Sequence, residues 1–234
     1  FEPRPLRHLV QKKQPPPGGF FRPENLNSGK QAAPPGTFYW KKGLDFSRMG
    51  ASITIMSILS DRLSAEILQA RQRVYTVGEP TPLQRLNLPG IQAPVYAKRE
   101  DLGPIRAYKW RGAFNCMAAL SQEARDKGIV AASAGNHAQG VALAARVLNC
   151  HATIFMPRST PEVKQTEVRR HGGRHVKIML HGDCYDETAA AAHEYTETHG
   201  CTFVHPYDDL VTMAGQGTLA DEVVMSGEGP FDRA

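Results

Sequence analysis

The chain has 234 residues, 41% of them apolar, and a formal net charge of +5. That length suits one large domain or two small ones, and without a run of about 18 apolar residues no membrane span is expected. The basic excess sits in residues 1–50, with nine Lys/Arg against three Asp/Glu; the remainder carries 19 against 20, so the folded part offers no basic footprint for nucleic acid.

Four cysteines, Cys116, Cys150, Cys184 and Cys201, show neither C-x-x-C nor zinc-ligand spacing. No secretory signal opens the chain, and reduced thiols in a cytoplasmic protein are expected. Residues 1–50 hold eight of the 17 prolines and no apolar periodicity, which predicts a disordered tail or sequence upstream of a start at Met49. With only Ser28 and Ser47 in this segment, it does not have the serine-rich character of a transit peptide.

Leu63, Ile67, Leu68 and Val74 recur at helical spacing and predict a helix over 60–73. Residues 78–86 read as a Pro-broken extended segment, 94–98 as a strand and 103–108 as a loop. A helix is predicted from Lys109 to Lys127, stopped by Gly128. Strand and helix then alternate. Strands are predicted over 129–133, 152–157, 175–180 and 201–206, and helices over 137–149, from Pro161 to Gly172-Gly173, from Asp183 to Gly200, and over 213–224. Thr160 and Asp183 are the expected N-caps of the second and third of these helices.

Such alternation with apolar strands means a parallel sheet covered on both faces, an α/β fold. Ligands of these folds bind at the carboxyl ends of strands, beside helix N-termini. The SAGNH loop (133–137) occupies such a place. Lys109, beside Tyr108 and ahead of Trp110-Arg111-Gly112, is the candidate nucleophilic lysine, although a lone helix-start lysine would ordinarily be solvated. Arg111 and Glu100 are expected to form an ion pair that fixes the turn. Asp183, Asp186 and Glu187 read as helix-start charges, and Arg169-Arg170 as an exposed helix face. The histidines from His151 to His205 fall at strand edges and helix ends and read as solvated or capping groups, with no metal expected. Gly215 and Gly217 suggest close helix–sheet packing.

KREDLGPIRAYKWRGAFN (98–115) and ASAGNHAQGVALAA (132–145) resemble the pyridoxal-phosphate enzymes of the tryptophan-synthase-β fold type (fold type II). Among these, the similarity is greatest to threonine dehydratase, also called threonine ammonia-lyase. MPRSTPEVK (156–164), GDCYDET (182–188), VHPYDD (204–209) and AGQGT (214–218) continue the resemblance, which spans about residues 60–225. It implies a two-subdomain architecture, with 51–127 and 204–234 in the large subdomain and 128–203 in the small one.

The resemblance further implies pyridoxal 5'-phosphate as cofactor, with Lys109 condensing with its aldehyde. Tyr108 would pack on the pyridine ring, and Asn136 would hydrogen-bond the 3-oxygen. Ser133, Ala134, Gly135, Asn136 and His137 would grip the substrate carboxylate through backbone N–H groups. The implied reaction is α,β-elimination of L-threonine to 2-oxobutanoate and ammonia, in isoleucine biosynthesis, with Lys109 as general base.

Serine dehydration or serine racemisation is the sibling reading, with L-serine as substrate; a truncated, non-catalytic fragment is the reading from another class. The implied partners are a small-molecule substrate and, at full length, further copies of the same chain, with no nucleic acid or membrane. The family's Ser-Phe-Lys is Ala107-Tyr108-Lys109 here. Its glycine-rich phosphate cradle and the group facing the pyridine nitrogen lie further along, and GEGP (227–230) is not that cradle. The C-terminal regulatory domain of biosynthetic members is missing too, so the chain is expected to be roughly the first half of such an enzyme.

Overall fold

The computed structural model describes residues 49–231, so the expected tail lies outside the described residues except for its last two. Those two open helix α1 (Met49–Val74), which begins well before the expected residue 60. No Gly or Pro interrupts the chain between Gly50 and Gly78, and a nucleated helix without a breaker propagates at little cost per residue. A short antiparallel hairpin follows, β1 (Leu83–Leu86) and β2 (Val95–Lys98), and then a 3-10 turn at Glu100–Leu102.

Where one helix over 109–127 is expected, two form, α2 (Lys109–Ala119) and α3 (Gln122–Asp126). Leu120 between them is extended. Ser121 starts the new helix, its Oγ accepting the Ala124 N–H at 3.2 Å. Arg125 Nη1 donates to the Leu120 carbonyl at 2.7 Å and so serves the interrupted end of α2.

The predicted alternation is then present: β3 (Ile129–Ala132), α4 (Asn136–Val147), β4 (Ala152–Met156), α5 (Glu162–Gly172), β5 (Val176–Leu180), α6 (Tyr185–His199), β6 (Thr202–Phe203) and α7 (Leu210–Met225). The last four strands form a parallel sheet in the order β5-β4-β3-β6. Every residue of β3 is buried. Successive side chains point to opposite faces, so Ile129 and Ala131 pack with Val141, Ala144 and Ala145 of α4, while Val130 and Ala132 pack with Phe155 and Ala192 of α6. A strand buried on both faces reads as a continuous apolar run, and IVAA does. β6 is only two residues long, shorter than expected, because the chain soon reaches Pro206, which has no N–H for a ladder.

Two expected caps are replaced. Thr160 Oγ1 is buried without a partner, and Pro161 is the residue ahead of α5; Gln165 instead donates to the Thr160 carbonyl at 3.0 Å. Asp183 does not cap α6. Cys184 stands at that position, and Glu187 Oε2 reaches back to the Asp183 N–H at 2.8 Å. Arg169 and Arg170 lie on an exposed face as expected, paired with Glu162 and Glu167.

Helix α2 is buried along Trp110–Met117 and is packed by α4 on one side and α7 on another. A Cβ at Gly215 would lie 2.5 Å from the Arg111 carbonyl oxygen, and one at Gly217 would meet Ile67 of α1 at 2.6 Å. These glycines serve helix–helix contact, not the helix–sheet packing expected of them.

The contact among these helices is closed by a buried charge cluster. Arg111, with no solvent-exposed side-chain surface, donates to both oxygens of Glu100 at 2.9 Å, to Thr218 at 3.1 Å and to Glu222 of α7. Lys98 at the end of β2 joins Glu222 and Thr81, and Tyr75 donates to Glu222 Oε1 at 2.9 Å. Burial alone would push the Glu222 carboxyl up, but donors from Arg111, Lys98 and Tyr75 hold it below the usual range. The Tyr75 hydroxyl, buried and tied to that carboxylate, is pushed up to about 12.

Two cations and two anions balance, so removing one partner strands a buried charge. Arg111→Met is expected to lower the unfolding free energy by about 3–5 kcal/mol in urea titration. Arg170→Ala, at an exposed pair, should leave the midpoint unchanged within error.

Candidate active site

Lys109 is the first residue of α2 and stands between two anchors. On one side its carbonyl lies 3.2 Å from where a Cβ at Gly140 of α4 would sit, and the same Cβ would be 2.9 Å from Trp110 Cα. Only glycine lets α4 come this close to the start of α2. On the other side Lys109 Nζ donates to the Pro206 carbonyl at 2.8 Å. The ammonium lies 5.6 Å from the centre of the Tyr108 ring, within the range of a cation–π contact.

The loop 133–135 leaves β3 and enters α4 at Asn136. The Ser133 N–H donates to the Phe155 carbonyl at 3.0 Å, which prolongs the β3–β4 pairing, and Ser133 Oγ accepts the Gly135 N–H at 3.2 Å. Asn136 is exposed at the mouth of the helix, and His137 is buried. The parallel strands and the helix start thus point at one place, outside the carboxyl ends of β3 and β6.

A cavity of about 360 Å³ occupies that place. Of the expected residues, Tyr108, Lys109, Ser133, Asn136 and His137 line it together; Ala134 and Gly135 complete the loop without lining the cavity. Its other walls come from residues that were not singled out as site residues: Pro206 and Tyr207 after β6, Tyr185 at the start of α6, and Ala132 at the end of β3. Burial, with Tyr207 close by, raises the Tyr185 hydroxyl above its ordinary value. The GDCYDET and VHPYDD segments carried the signal for these walls, but nothing local shows that they meet Lys109.

His137 Nε2 lies 3.0 Å from the Val204 carbonyl, so that nitrogen carries the proton, and Nδ1 is buried without a partner. Burial lowers the imidazole to about 4; the Val204 bond works against this, and the Lys109 and His205 charges reinforce it. The ring is therefore neutral at pH 7.

Residues 74–233 match the family of pyridoxal-phosphate-dependent enzymes. The chain belongs to that family. It is 48% identical over 162 residues to the biosynthetic L-threonine dehydratase IlvA of Mycobacterium tuberculosis, covering 68% of this chain and 38% of that protein. It is 46% identical over 160 residues to the enzyme of the same name from Bacillus subtilis, again over 68% and 38% of the two chains. Among solved structures, the processed threonine deaminase isoform 2 of Solanum lycopersicum matches with TM-score 0.63 and 38% identity, over 72% of this chain and 47% of that one. Maize serine racemase matches with TM-score 0.63 and 30% identity, over 70% and 49%. The chain spans less than half the length of the curated relatives it matches.

The cofactor of this family fits the cavity at its aldehyde and ring end. Lys109 is the one amine among the lining residues, the Tyr108 ring is partly exposed beside it, and the Asn136 amide stands at the rim. Among the described residues lining the cavity there is no second cation and no glycine that would cradle a phosphate. The same residues do not suit a metal, and no cluster of His, Cys, Asp or Glu able to hold one occurs among the described residues. Nor is any helix among them long and apolar enough to cross a membrane.

The histidine makes the site sensitive to acid in a defined sense. Between pH about 6.5 and about 4 the unfolded chain binds a proton at His137 that the folded chain refuses, so stability is lost as pH falls through that window. The loss should reach about 2 kcal/mol by pH 5. Urea titrations at pH 7 and pH 5 should show a larger drop for the parent chain than for His137→Gln by that amount.

Proposed function

We propose that this chain carries the lysine-bearing part of a threonine dehydratase, which converts L-threonine to 2-oxobutanoate and ammonia. The observation that carries the reading is the meeting of Lys109 and the SAGNH loop in one cavity at the carboxyl ends of β3 and β6. The 46–48% identity to biosynthetic L-threonine dehydratases supports the substrate and an isoleucine-biosynthetic role.

When bound, pyridoxal phosphate supplies an electron sink for charge developing at the substrate's α-carbon. Lys109 Nζ, the amine in the cavity wall, would hold the cofactor and would serve as the base for the α-proton. The Tyr108 ring offers a flat apolar face beside the amine. The Asn136 amide at the rim would donate to the ring's 3-oxygen.

Ser133, Ala134, Gly135, Asn136 and the His137 backbone form the carboxylate loop. The start of α4 favours a negative charge there, and a carboxylate would take over the Gly135 N–H now held by Ser133 Oγ. Departure of the β-hydroxyl and hydrolysis of the enamine complete an elimination that consumes no oxidant.

We also infer two subdomains, 51–127 with 204–234 and, separately, 128–203. The mutual packing of α1, α2 and α7 supports the first grouping, and the contiguous sheet and its covering helices support the second.

L-Serine is the second candidate substrate, favoured by the likeness to maize serine racemase. Incubation with pyridoxal phosphate should give a visible absorbance band, and L-threonine should then yield 2-oxobutanoate. Lys109→Ala should abolish the band and lower turnover by about a thousandfold or more. D-Serine from L-serine without 2-oxobutanoate from L-threonine would replace dehydration with racemisation. Absence of the band in the parent chain would favour the non-catalytic reading.

A further inference from the structure

The segment that leaves β6 presents two carbonyls to the site, two residues apart. Val204 O accepts from His137 Nε2 at 3.0 Å, and Pro206 O accepts from Lys109 Nζ at 2.8 Å. The segment is otherwise tied down at each end. The Val204 N–H donates to the Val130 carbonyl at 2.8 Å, and His205 Nδ1 accepts the Asp208 N–H at 2.7 Å. Pro206 has no N–H, so at this position the backbone offers the cavity an acceptor alone, on a residue whose φ is fixed by its ring.

His137 is poorly suited to grip a carboxylate with its side chain. Its protonated nitrogen is committed to Val204 and its other nitrogen is a bare, buried acceptor. A neutral ring in this tautomer has no donor left to offer an anion.

We propose that His137 is a positioning residue for Lys109. By donating to Val204 O it anchors the segment whose Pro206 carbonyl receives Nζ, and so sets where the amine waits before and after it engages the cofactor. The inference rests on the reading of Lys109 as the reacting amine, and it turns the side chain of His137 inward, leaving only its backbone to the carboxylate loop.

The test uses the 234-residue chain and pyridoxal phosphate followed by borohydride, with the labelled lysine mapped by peptide mass. A hydrogen bond from a charged donor contributes enough that its loss corresponds to about a tenfold change. In His137→Leu the amine is no longer shared with a held carbonyl, so Lys109 should label about tenfold faster at pH 7. His137→Gln, whose amide can donate to Val204 O, should restore a rate close to that of the parent chain.

Unchanged or slower labelling of Lys109 in His137→Leu would overturn the positioning role. No label on Lys109 in the parent chain would instead overturn the reading of that lysine. If the leucine variant does not fold, nitrogen NMR of the parent histidines decides. A neutral His137 protonated at Nε2 supports the link to Val204, and one protonated at Nδ1 removes it and the proposal with it.

Discussion

Four buried charges of balanced sign, Lys98, Glu100, Arg111 and Glu222, hold the start of α2 against β2, the 3-10 turn and α7. Desolvating such a set is costly, and it is tolerated because each carboxylate accepts several donors and the guanidinium spends its donors on three partners. Arg111 and Lys109 are two residues apart on one helix, about 200° around its axis. The arginine that locks α2 inward therefore presents the lysine on nearly the opposite side, toward the cavity. The cavity wall at Lys109 inherits its rigidity from a cluster that does not itself line the cavity.

The second constraint is steric. α4 can begin beside Lys109 only because Gly140 brings no side chain against the Trp110 Cα and the Lys109 carbonyl. The alanines of α4 and β3 make the same approach possible across the sheet, where Ala131 and Ala144 are fully buried. Small residues in these two elements thus bring the lysine-bearing helix and the Ser133–His137 loop to one rim. The carboxyl ends of β3 and β6 supply the floor.

Much of this was readable along the chain because its signals are short-range. The strand–helix alternation rests on apolar runs and breakers, and Lys109 and Ser133–His137 each lie in a compact motif. The expected caps and helix ends that failed were choices between near-equivalent local alternatives. Ser121 rather than Gly128 ends the first buried helix, Glu187 serves the chain ahead of α6 where Asp183 was expected to, and Thr160 caps nothing. Differences of a kcal/mol or less separate such caps, and packing decides among them.

By itself the sequence determined the α/β class, through periodicity and breakers that act over a few residues, and carried the family resemblance in the compact motifs around Lys109 and Ser133–His137. Only the tertiary structure decided that Tyr185, Pro206 and Tyr207 complete the cavity and that Glu222 joins the Arg111 cluster. It also decided that His137 turns its proton toward Val204 and not toward a ligand. The hydrogen bonds that tie Pro206, Glu222 and Val204 into these places join residues from 67 to 124 positions apart. Such contacts are set by how the helices cross and by which buried polar groups must find partners, and neither is encoded in any local pattern.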